Sequence, residues 1–138
     1  MKLVSGFIVL IGTIVILLTS FTIQKGKDFD LKASMARGKD LYATYCMNCH
    51  KEQGEGIEKL YPPLAKSDYM MADTKRSILQ ILKGANGEIT VNGKAYSIAM
   101  NGIELTDEQT SDILNYVRNS WGNKGEVVKP EHVKAARK

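Results

Sequence analysis

The most constraining feature of this 138-residue chain is a group of two cysteines and a histidine within five residues. Cys46 and Cys49 are the only cysteines of the sequence, and His50 is one of its two histidines. In a helical turn, residues three and four apart share a face, so the three side chains can point in one direction. Two thiols at this spacing can form thioether bonds to the two vinyl groups of a haem. The neighbouring imidazole then lies beneath the haem iron as a ligand. The Cys-x-x-Cys-His pattern is therefore typical of c-type haem attachment.

Three other roles compete for the two cysteines. A thioredoxin-like redox pair requires a preceding strand in a βαβ unit, whereas residues 31–45 have helical spacing. A structural zinc ion requires four ligands, and the other histidine, His132, lies in a remote charged segment. A disulfide between Cys46 and Cys49 is the third alternative, and it leaves His50 without a role.

The N-terminal segment contains an uncharged run over residues 3–23, long enough as a helix to cross a membrane. An uncleaved anchor fits residues 1–23 better than a signal peptide, because the apolar stretch is long and lacks a good small-residue cleavage site. Lys25 and Lys27 follow the run, and by the positive-inside rule they favour a cytoplasmic body. Residues 24–30 are predicted to form a polar tether.

The positive charge of the chain, formally +4, is concentrated at its two ends. Residues 123–138 carry five lysines or arginines against two glutamates, whereas residues 30–122 carry eleven against twelve acidic residues. A nucleic-acid-binding face requires clustered cations on the fold itself, so we expect no nucleic-acid partner. The basic segment 123–138 contains Pro130 and is predicted to be a mobile tail.

Hydrophobic periodicity and helix-end signals predict three helices in the body of the chain. They span residues 31–45, 74–83 and 106–122. Gly38 interrupts the first helix, and Gly84 and Gly122 end the other two. Thr106 and Gln109 have the spacing of a capping box, which fixes the start of the third helix.

The segments between these helices have turn and loop signals. Residues 89–97 alternate in polarity around Asn92 and Gly93, which predicts a short β-hairpin. Residues 51–66 contain two glycines and two consecutive prolines, which is typical of irregular loop. The expected fold class is all-α, with three to four helices in one domain over residues 31–122.

From about Ser34 to Asn123 the chain resembles a class I monohaem cytochrome c, of the bacterial branch of small membrane-linked and dehydrogenase- or oxidase-associated carriers. The resemblance rests on ordered motifs: Gly38 and Tyr42, Cys-x-x-Cys-His, Gly54–Gly56, Tyr61–Leu64, Ala95–Met100, Leu105–Gln109 and Leu114–Asn123. It implies the cytochrome c fold around one covalent haem, with the first and last helices crossing at Gly38. Tyr42 and Tyr116 are expected to pack at that crossing.

The sixth iron ligand is expected to be a methionine, since a thioether sulfur favours ferrous iron. The candidates in the sequence are Met35, Met47, Met70, Met71 and Met100. Met47 lies inside the motif turn, and the positions of Met35, Met70 and Met71 are more typical of packing. The resemblance implies Met100, in the loop before the last helix, opposite His50 as the proximal ligand.

Two further site residues are implied by the resemblance. The backbone carbonyl of Pro62 would accept a hydrogen bond from the Nδ1 proton of His50 and so orient the ring. The alternative is that this proline only interrupts regular secondary structure in the loop. Leu64 would pack on a haem face. Relatives often have proline after the distal ligand, whereas this chain has Asn101 and Gly102, which predicts a more flexible distal loop.

The implied function is one-electron transfer through haem c, without catalysis by the chain alone. Expected partners are redox proteins such as a respiratory complex, oxidase, reductase or dehydrogenase, and the membrane through the N-terminal helix. In this family haem is attached on the outer side of the bacterial membrane, so a periplasmic body is expected despite Lys25 and Lys27. The alternative is a haem-based ligand binder or sensor with a labile or open sixth site, for which Asn101 and Gly102 are the only indication.

Overall fold

The structure, a computed structural model, describes residues 28–138. The predicted anchor over residues 1–23 and most of the tether over residues 24–30 lie outside this range. Within residues 28–138, no helix is both long enough and apolar enough to cross a membrane.

Six helices and four short strands form the described part of the chain. The helices are α1 (Leu31–Tyr45), α2 (Met47–His50), α3 (Asp68–Ala72), α4 (Thr74–Lys83), α5 (Asp107–Arg118) and α6 (Pro130–Ala136). The strands are β1 (Gly84–Ala85), β2 (Ile89–Val91), β3 (Lys94–Tyr96) and β4 (Met100–Asn101), with β1 antiparallel to β4 and β2 antiparallel to β3. The fold is mostly helical, as predicted, but it has six helices in this range instead of three to four.

The local signals of the sequence determine where the long helices begin. Asp30 accepts a hydrogen bond from the Ala33 amide at 3.0 Å and caps α1. The predicted capping box of α5 is confirmed, since Gln109 N donates to Thr106 Oγ1 and Thr106 N donates to Gln109 Oε1. The predicted hairpin is also confirmed, with Asn92 and Gly93 at positive φ between β2 and β3.

The most extensive helix contact is the crossing of α1 over α5. A Cβ atom on Gly38 would lie 1.9 Å from the backbone oxygen of Asp112 and 2.9 Å from Cβ of Tyr116, so only glycine allows this approach. Tyr42, Tyr116 and Trp121 pack as a triangle beside it, with ring centroids 5.2 to 5.5 Å apart. The expected crossing and its tyrosine packing are confirmed.

A buried polar network joins the same two helices. Ser34 Oγ donates to Asp112 Oδ1 at 2.6 Å, and the Arg37 guanidinium donates to both oxygens of this carboxylate at 2.7 and 2.8 Å. Asn115 Nδ2 in turn donates to Ser34 Oγ at 2.8 Å. The buried carboxylate is therefore fully paired, which avoids the cost of an isolated charge.

Residues 123–138, named here the C-terminal strap, pack on α5 and α4. Both backbone groups of Val128 bond to Asn115: its N donates to Asn115 Oδ1 and its O accepts from Asn115 Nδ2, each at 2.8 Å. Ser111 Oγ donates to the same carbonyl at 2.8 Å. Farther along, Arg137 Nε donates to Asp107 Oδ1 at 2.6 Å.

The strap also completes a second apolar core. This core contains Ile78, Leu114, Val128, Val133 and Ala136, all of them buried. Residues 123–138 are therefore packed on the body and do not form the predicted mobile tail. The reason is that Val128, Val133 and Ala136, within this charged segment, become buried. The polar partners on α5 satisfy the backbone that this burial removes from water.

Candidate functional site

A cleft of about 420 Å³ lies beside the α1–α5 crossing, within the range of about 300–1,000 Å³ that is typical of ligand pockets. Its proximal wall comes from residues 45–50 and 61–64, and its distal wall from residues 96–103. Its lining is mostly apolar, and α5 contributes Ile113, Leu114 and Val117. Every site residue predicted from the sequence lines this cleft: Cys46, Cys49, His50, Pro62, Leu64 and Met100.

The proximal wall is built on a continuous helical turn. Cys46 caps the end of α1 and accepts a hydrogen bond from His50 N at 2.9 Å, so α2 follows almost without interruption. Cys46 and Cys49 form no disulfide with each other. Burial, with a smaller contribution from Cys49, raises the pKa of the Cys46 thiol to about 11. The turn thus presents two thiols and an imidazole to one cleft.

The alternative roles of the cysteines find no support in this geometry. A helix, not a strand, precedes the motif, unlike the βαβ setting of a thioredoxin-like pair. His132 lies on α6, where its Nδ1 accepts a hydrogen bond from the Lys129 amide at 3.2 Å. Across the described range, no cluster of three or more cysteine, histidine or acidic side chains could hold a metal ion.

His50 is held in one orientation by the loop that follows it. Its Nδ1 lies 2.9 Å from the Pro62 carbonyl oxygen, which can only accept, so Nδ1 carries the proton and Nε2 keeps a free lone pair. Burial lowers the pKa of His50, with the Pro62 bond opposing this effect, so the ring is neutral. A neutral imidazole with a free Nε2 is the form that binds a metal.

Gly56 fixes the position of the Pro62 carbonyl. Its φ is 68°, and a Cβ atom here would lie 2.3 Å from Tyr61 O and 2.7 Å from Pro62 O. The loop therefore needs glycine both for its backbone conformation and for its close approach to the acceptor of the histidine proton.

Met100 is placed by the backbone ladder between β1 and β4. Gly84 pairs with Asn101, and a Cβ atom on Gly84 would lie 2.4 Å from Met100 O. A Cβ atom on Gly102 would lie 2.7 Å from Leu82 O. Asn101 and Gly102 therefore serve strand pairing and close approach, and the greater flexibility expected of the distal loop stays a prediction.

Of the five methionines considered from the sequence, only Met70 and Met100 line the cleft. Met70 is buried in an apolar core that also contains Tyr42, Leu105, Ile113 and Val117, and its Sδ lies 4.0 Å from Arg118 Nη1. Met71 packs at the edge of that core. Both thioethers therefore border the cleft, and the sulfur of Met70 also contacts the Arg118 guanidinium.

Two contacts fasten the β2–β3 hairpin to Glu58, in the loop after α2, and to Asp68, at the start of α3, and we name them the hairpin clasp. Lys94 Nζ donates to Glu58 Oε1 at 2.9 Å. Asp68 and Asn92 exchange reciprocal hydrogen bonds, each from one backbone N to the other side chain, at 2.8 and 3.0 Å. Sequence reasoning missed the clasp, because its partners are 24 and 36 residues apart and carry no local signal.

Sequence reasoning also missed the polar part of the lining. The Tyr69 hydroxyl accepts from Gln80 Nε2 at 3.0 Å, and both residues line the cleft. The Arg76 guanidinium stacks on the Tyr69 ring, 3.8 Å from its centroid. Arg76 does not itself line the cleft but holds the Tyr69 ring, whose hydroxyl and the Gln80 amide are polar groups of an otherwise mostly apolar lining. Together with two thiols, a neutral imidazole and a thioether, this donor set fits a covalent haem.

Comparisons with known proteins agree with this fit. A sequence model of the cytochrome c family matches residues 35–121. The chain is 34% identical over 102 residues to cytochrome c-552 of Thermus thermophilus, covering 70% of this chain and 68% of that protein. It is 30% identical over 89 residues to the cytochrome c subunit of a quinone alcohol dehydrogenase from Gluconacetobacter polyoxogenes, covering 63% of this chain and 19% of that subunit.

A further relative is the gluconate 2-dehydrogenase cytochrome c subunit of Pantoea cypripedii, 30% identical over 89 residues that cover 62% of this chain. The aligned region is 20% of that subunit. The chain therefore spans about a fifth of the length of either dehydrogenase subunit.

Proposed function

This chain belongs to the cytochrome c family, and from that premise we propose that it carries single electrons through a haem iron ligated by His50 and Met100. Family membership implies one covalently attached haem c, for which Cys46 and Cys49 provide the thiols. It also makes the chain an electron carrier rather than an enzyme. When bound, the haem supplies the one-electron change between ferric and ferrous iron.

The observation that carries the proposal is the convergence of four side chains on one apolar cleft. Cys46, Cys49, His50 and Met100 all line it, although Met100 lies far along the chain from the other three. The Pro62 bond leaves Nε2 of His50 free as a ligand. Imidazole and thioether are the ligand pair that raises the potential of a c-type iron.

The residues of the chain do no bond-making chemistry on a substrate in this proposal. Pro62 keeps the His50 ring in one tautomer and raises its basicity as a ligand. Met100 offers a soft sulfur from a paired backbone segment. Leu64 and the apolar side chains of α5 exclude water, which lowers the reorganisation that accompanies a change of iron charge.

The test is the absorption spectrum of the oxidised and reduced protein with and without carbon monoxide. We expect a low-spin spectrum that the gas does not change in the natural chain, and a gas-induced shift in Met100→Leu. Met70→Leu is the matched control, because it makes the same near-isosteric change at the other methionine that lines the cleft. A shift in Met70→Leu alone would reassign the ligand, and a shift in the natural chain would favour the ligand-binding sensor.

We further propose that the body works on the outer side of a bacterial membrane and exchanges electrons with a membrane-associated oxidoreductase. Two relatives are named as cytochrome subunits of alcohol and gluconate dehydrogenases, which supports a dehydrogenase among the partners. Attachment through residues 1–23 would raise the local concentration of the carrier near such a complex. Cell fractionation tests this attachment by comparing the natural chain with a chain whose residues 1–23 are replaced by a cleavable export signal. We expect only the natural chain in the membrane pellet. Recovery of both chains in the pellet would be the contrary result.

A further inference from the structure

Arg118, the last residue of α5, carries a positive charge that is buried next to the cleft. The residue is only 5% exposed. Its Nη1 donates to Met70 O at 3.0 Å and lies 4.0 Å from Met70 Sδ. Because Met70 itself lines the cleft, a single residue separates the guanidinium from the space that holds the haem.

Among the residues that the structure describes, no carboxylate forms an ion pair with this charge. Within residues 28–138, the Nε of Arg118 has no hydrogen-bond partner. Glu126, which is exposed on the strap, is the acidic residue whose charge acts on it. Burial lowers the pKa of Arg118, yet arginine remains protonated throughout the ordinary pH range. The buried group is therefore a permanent and poorly neutralised cation.

The C-terminal strap keeps water away from this cation. Gly125 N donates to Arg118 O at 2.8 Å. A Cβ atom on Gly125 would lie 2.8 Å from Arg118 Cβ and 3.0 Å from its Nε, so the strap backbone rests directly on the arginine side chain. Solvent and salt screen a buried charge much less than an exposed one. The strap, which continues beyond the family match at residue 121, thus strengthens the field of Arg118 at the cleft.

We propose that Arg118 sets the reduction potential of the haem iron through its buried charge. The inference rests on the proposed function, since it requires haem in the cleft. The step it acts on is the transfer of one electron from a docked redox protein to ferric iron, which gives ferrous iron without forming or breaking a bond. Ferrous iron carries one positive charge fewer, so a nearby fixed cation favours the reduced state. Arg118 contacts Met70 and no reacting atom, so its charge affects the iron only through its electric field.

The direct test compares the midpoint potentials of holoprotein variants by spectroelectrochemistry. Arg118→Gln removes the charge and keeps an N–H donor for Met70 O, whereas Arg118→Lys keeps the charge and removes the planar guanidinium. We expect the Gln variant to lose about tenfold in the equilibrium constant for reduction, which is about 59 mV for one electron. The Lys variant should stay close to the natural chain at neutral pH. Equal shifts in both variants would assign the effect to packing and overturn the proposal.

Lys39→Gln is the matched control for the loss of one positive charge. Lys39 is exposed on α1, so its charge is screened by water and salt. We expect a shift several-fold smaller than that of Arg118→Gln, and one that disappears at high salt while the Arg118→Gln shift persists. Shifts of equal size and equal salt dependence would contradict a special role for the buried charge.

A titration of Arg118→Lys gives a second, independent decision if the Gln variant does not fold. Burial lowers the pKa of a lysine, whereas arginine stays charged. The potential of the Lys variant should therefore fall relative to the natural chain as pH rises through the lysine pKa. Parallel pH curves would overturn the proposal. A natural chain without a low-spin haem spectrum would contradict the proposed function. If the Arg118 variants keep intact haem spectra and an unchanged midpoint potential, only the proposed role of Arg118 is refuted.

Discussion

The two walls of the cleft hold their predicted iron ligands by different means. On the proximal wall, His50 follows Cys46 by one helical turn, and a side-chain hydrogen bond to Pro62 fixes its ring. On the distal wall, Met100 depends on backbone pairing with a strand that precedes it and on close glycine contacts. A fault in the proximal wall should therefore affect haem retention, whereas a fault in the distal wall should open the sixth site and leave the covalent haem in place.

The largest effect is expected from loss of the proximal ligand. His50→Ala removes both the free Nε2 and the bond to Pro62, so the haem would lack its anchor on iron and the small core would lose its centre. We expect little or no folded holoprotein, measured by haem absorbance per protein and by helical circular dichroism. His132→Ala is the control, since this histidine lies on α6. Normal haem content in His50→Ala would contradict the proximal assignment.

A change at Gly84 should break the distal wall selectively. Gly84 has φ of 84° and ψ of −179°, a conformation essentially restricted to glycine, so alanine there costs about 1–3 kcal/mol, and the clash with Met100 O displaces β4 in addition. We expect a covalent haem that becomes reactive to carbon monoxide. Gly87→Ala is the matched control, because Gly87 has a similar φ of 89° and a Cβ atom there would meet nothing within 4 Å. Carbon monoxide binding in both variants would trace the effect to backbone strain instead of the contact with Met100.

The corresponding change on the proximal wall should give a smaller spectral effect. Gly56→Ala pushes on the Pro62 carbonyl that accepts the His50 proton, and it adds a similar backbone cost of about 1–2 kcal/mol. A weaker bond makes the imidazole a poorer donor to iron, so the midpoint potential should rise while the protein stays unreactive to carbon monoxide. Gly93→Ala is the control, with φ of 76° and open space around it. A lowered potential would be the contrary result.

The smallest effect is expected from the hairpin clasp, whose ion pair is exposed. The Lys94 bond lowers the pKa of Glu58, so its stabilisation is fully present above the usual glutamate pKa and is lost as pH falls through the folded value. Glu58→Gln should therefore reduce the free energy of unfolding slightly at pH 7 and not at low pH, measured by denaturant titration at several pH values. Glu88→Gln, just before β2, is the control, since Glu88 makes no ion pair within residues 28–138. A loss that persists at low pH would rule out the ion pair as its cause.

Features with a local cause could be predicted from the sequence. The capping box at Thr106, the hairpin at Asn92 and Gly93, and the start and end of α1 depend on neighbouring residues alone, and all agree with the structure. The crossing at Gly38 was accessible through the family resemblance, and its contact with Asp112 explains the glycine.

Features with remote partners could not be predicted in this way. Val128 is one valine in a charged segment, and nothing near it in the sequence indicates that Asn115 and Ser111 hold its backbone. The roles of Asn101 and Gly102 were missed because they depend on Gly84 and on the backbone of Leu82 and Lys83. Arg118 has the appearance of a solvated helix end until the strap covers it.

The α1–α5 crossing also affects the order of events during folding. Its hydrogen bond between Ser34 and Asp112 joins residues 78 positions apart, and most of the cleft-lining residues lie on the chain between them. Contacts of such long range form late, because the intervening loop must close first. A chain that emerges from its N-terminus presents Cys46 and Cys49 well before Asp112 is available. Because the two crossing helices are far apart in the sequence, there is an interval before they pack together. During this interval the thiols lie on an unfolded chain and are accessible for thioether formation.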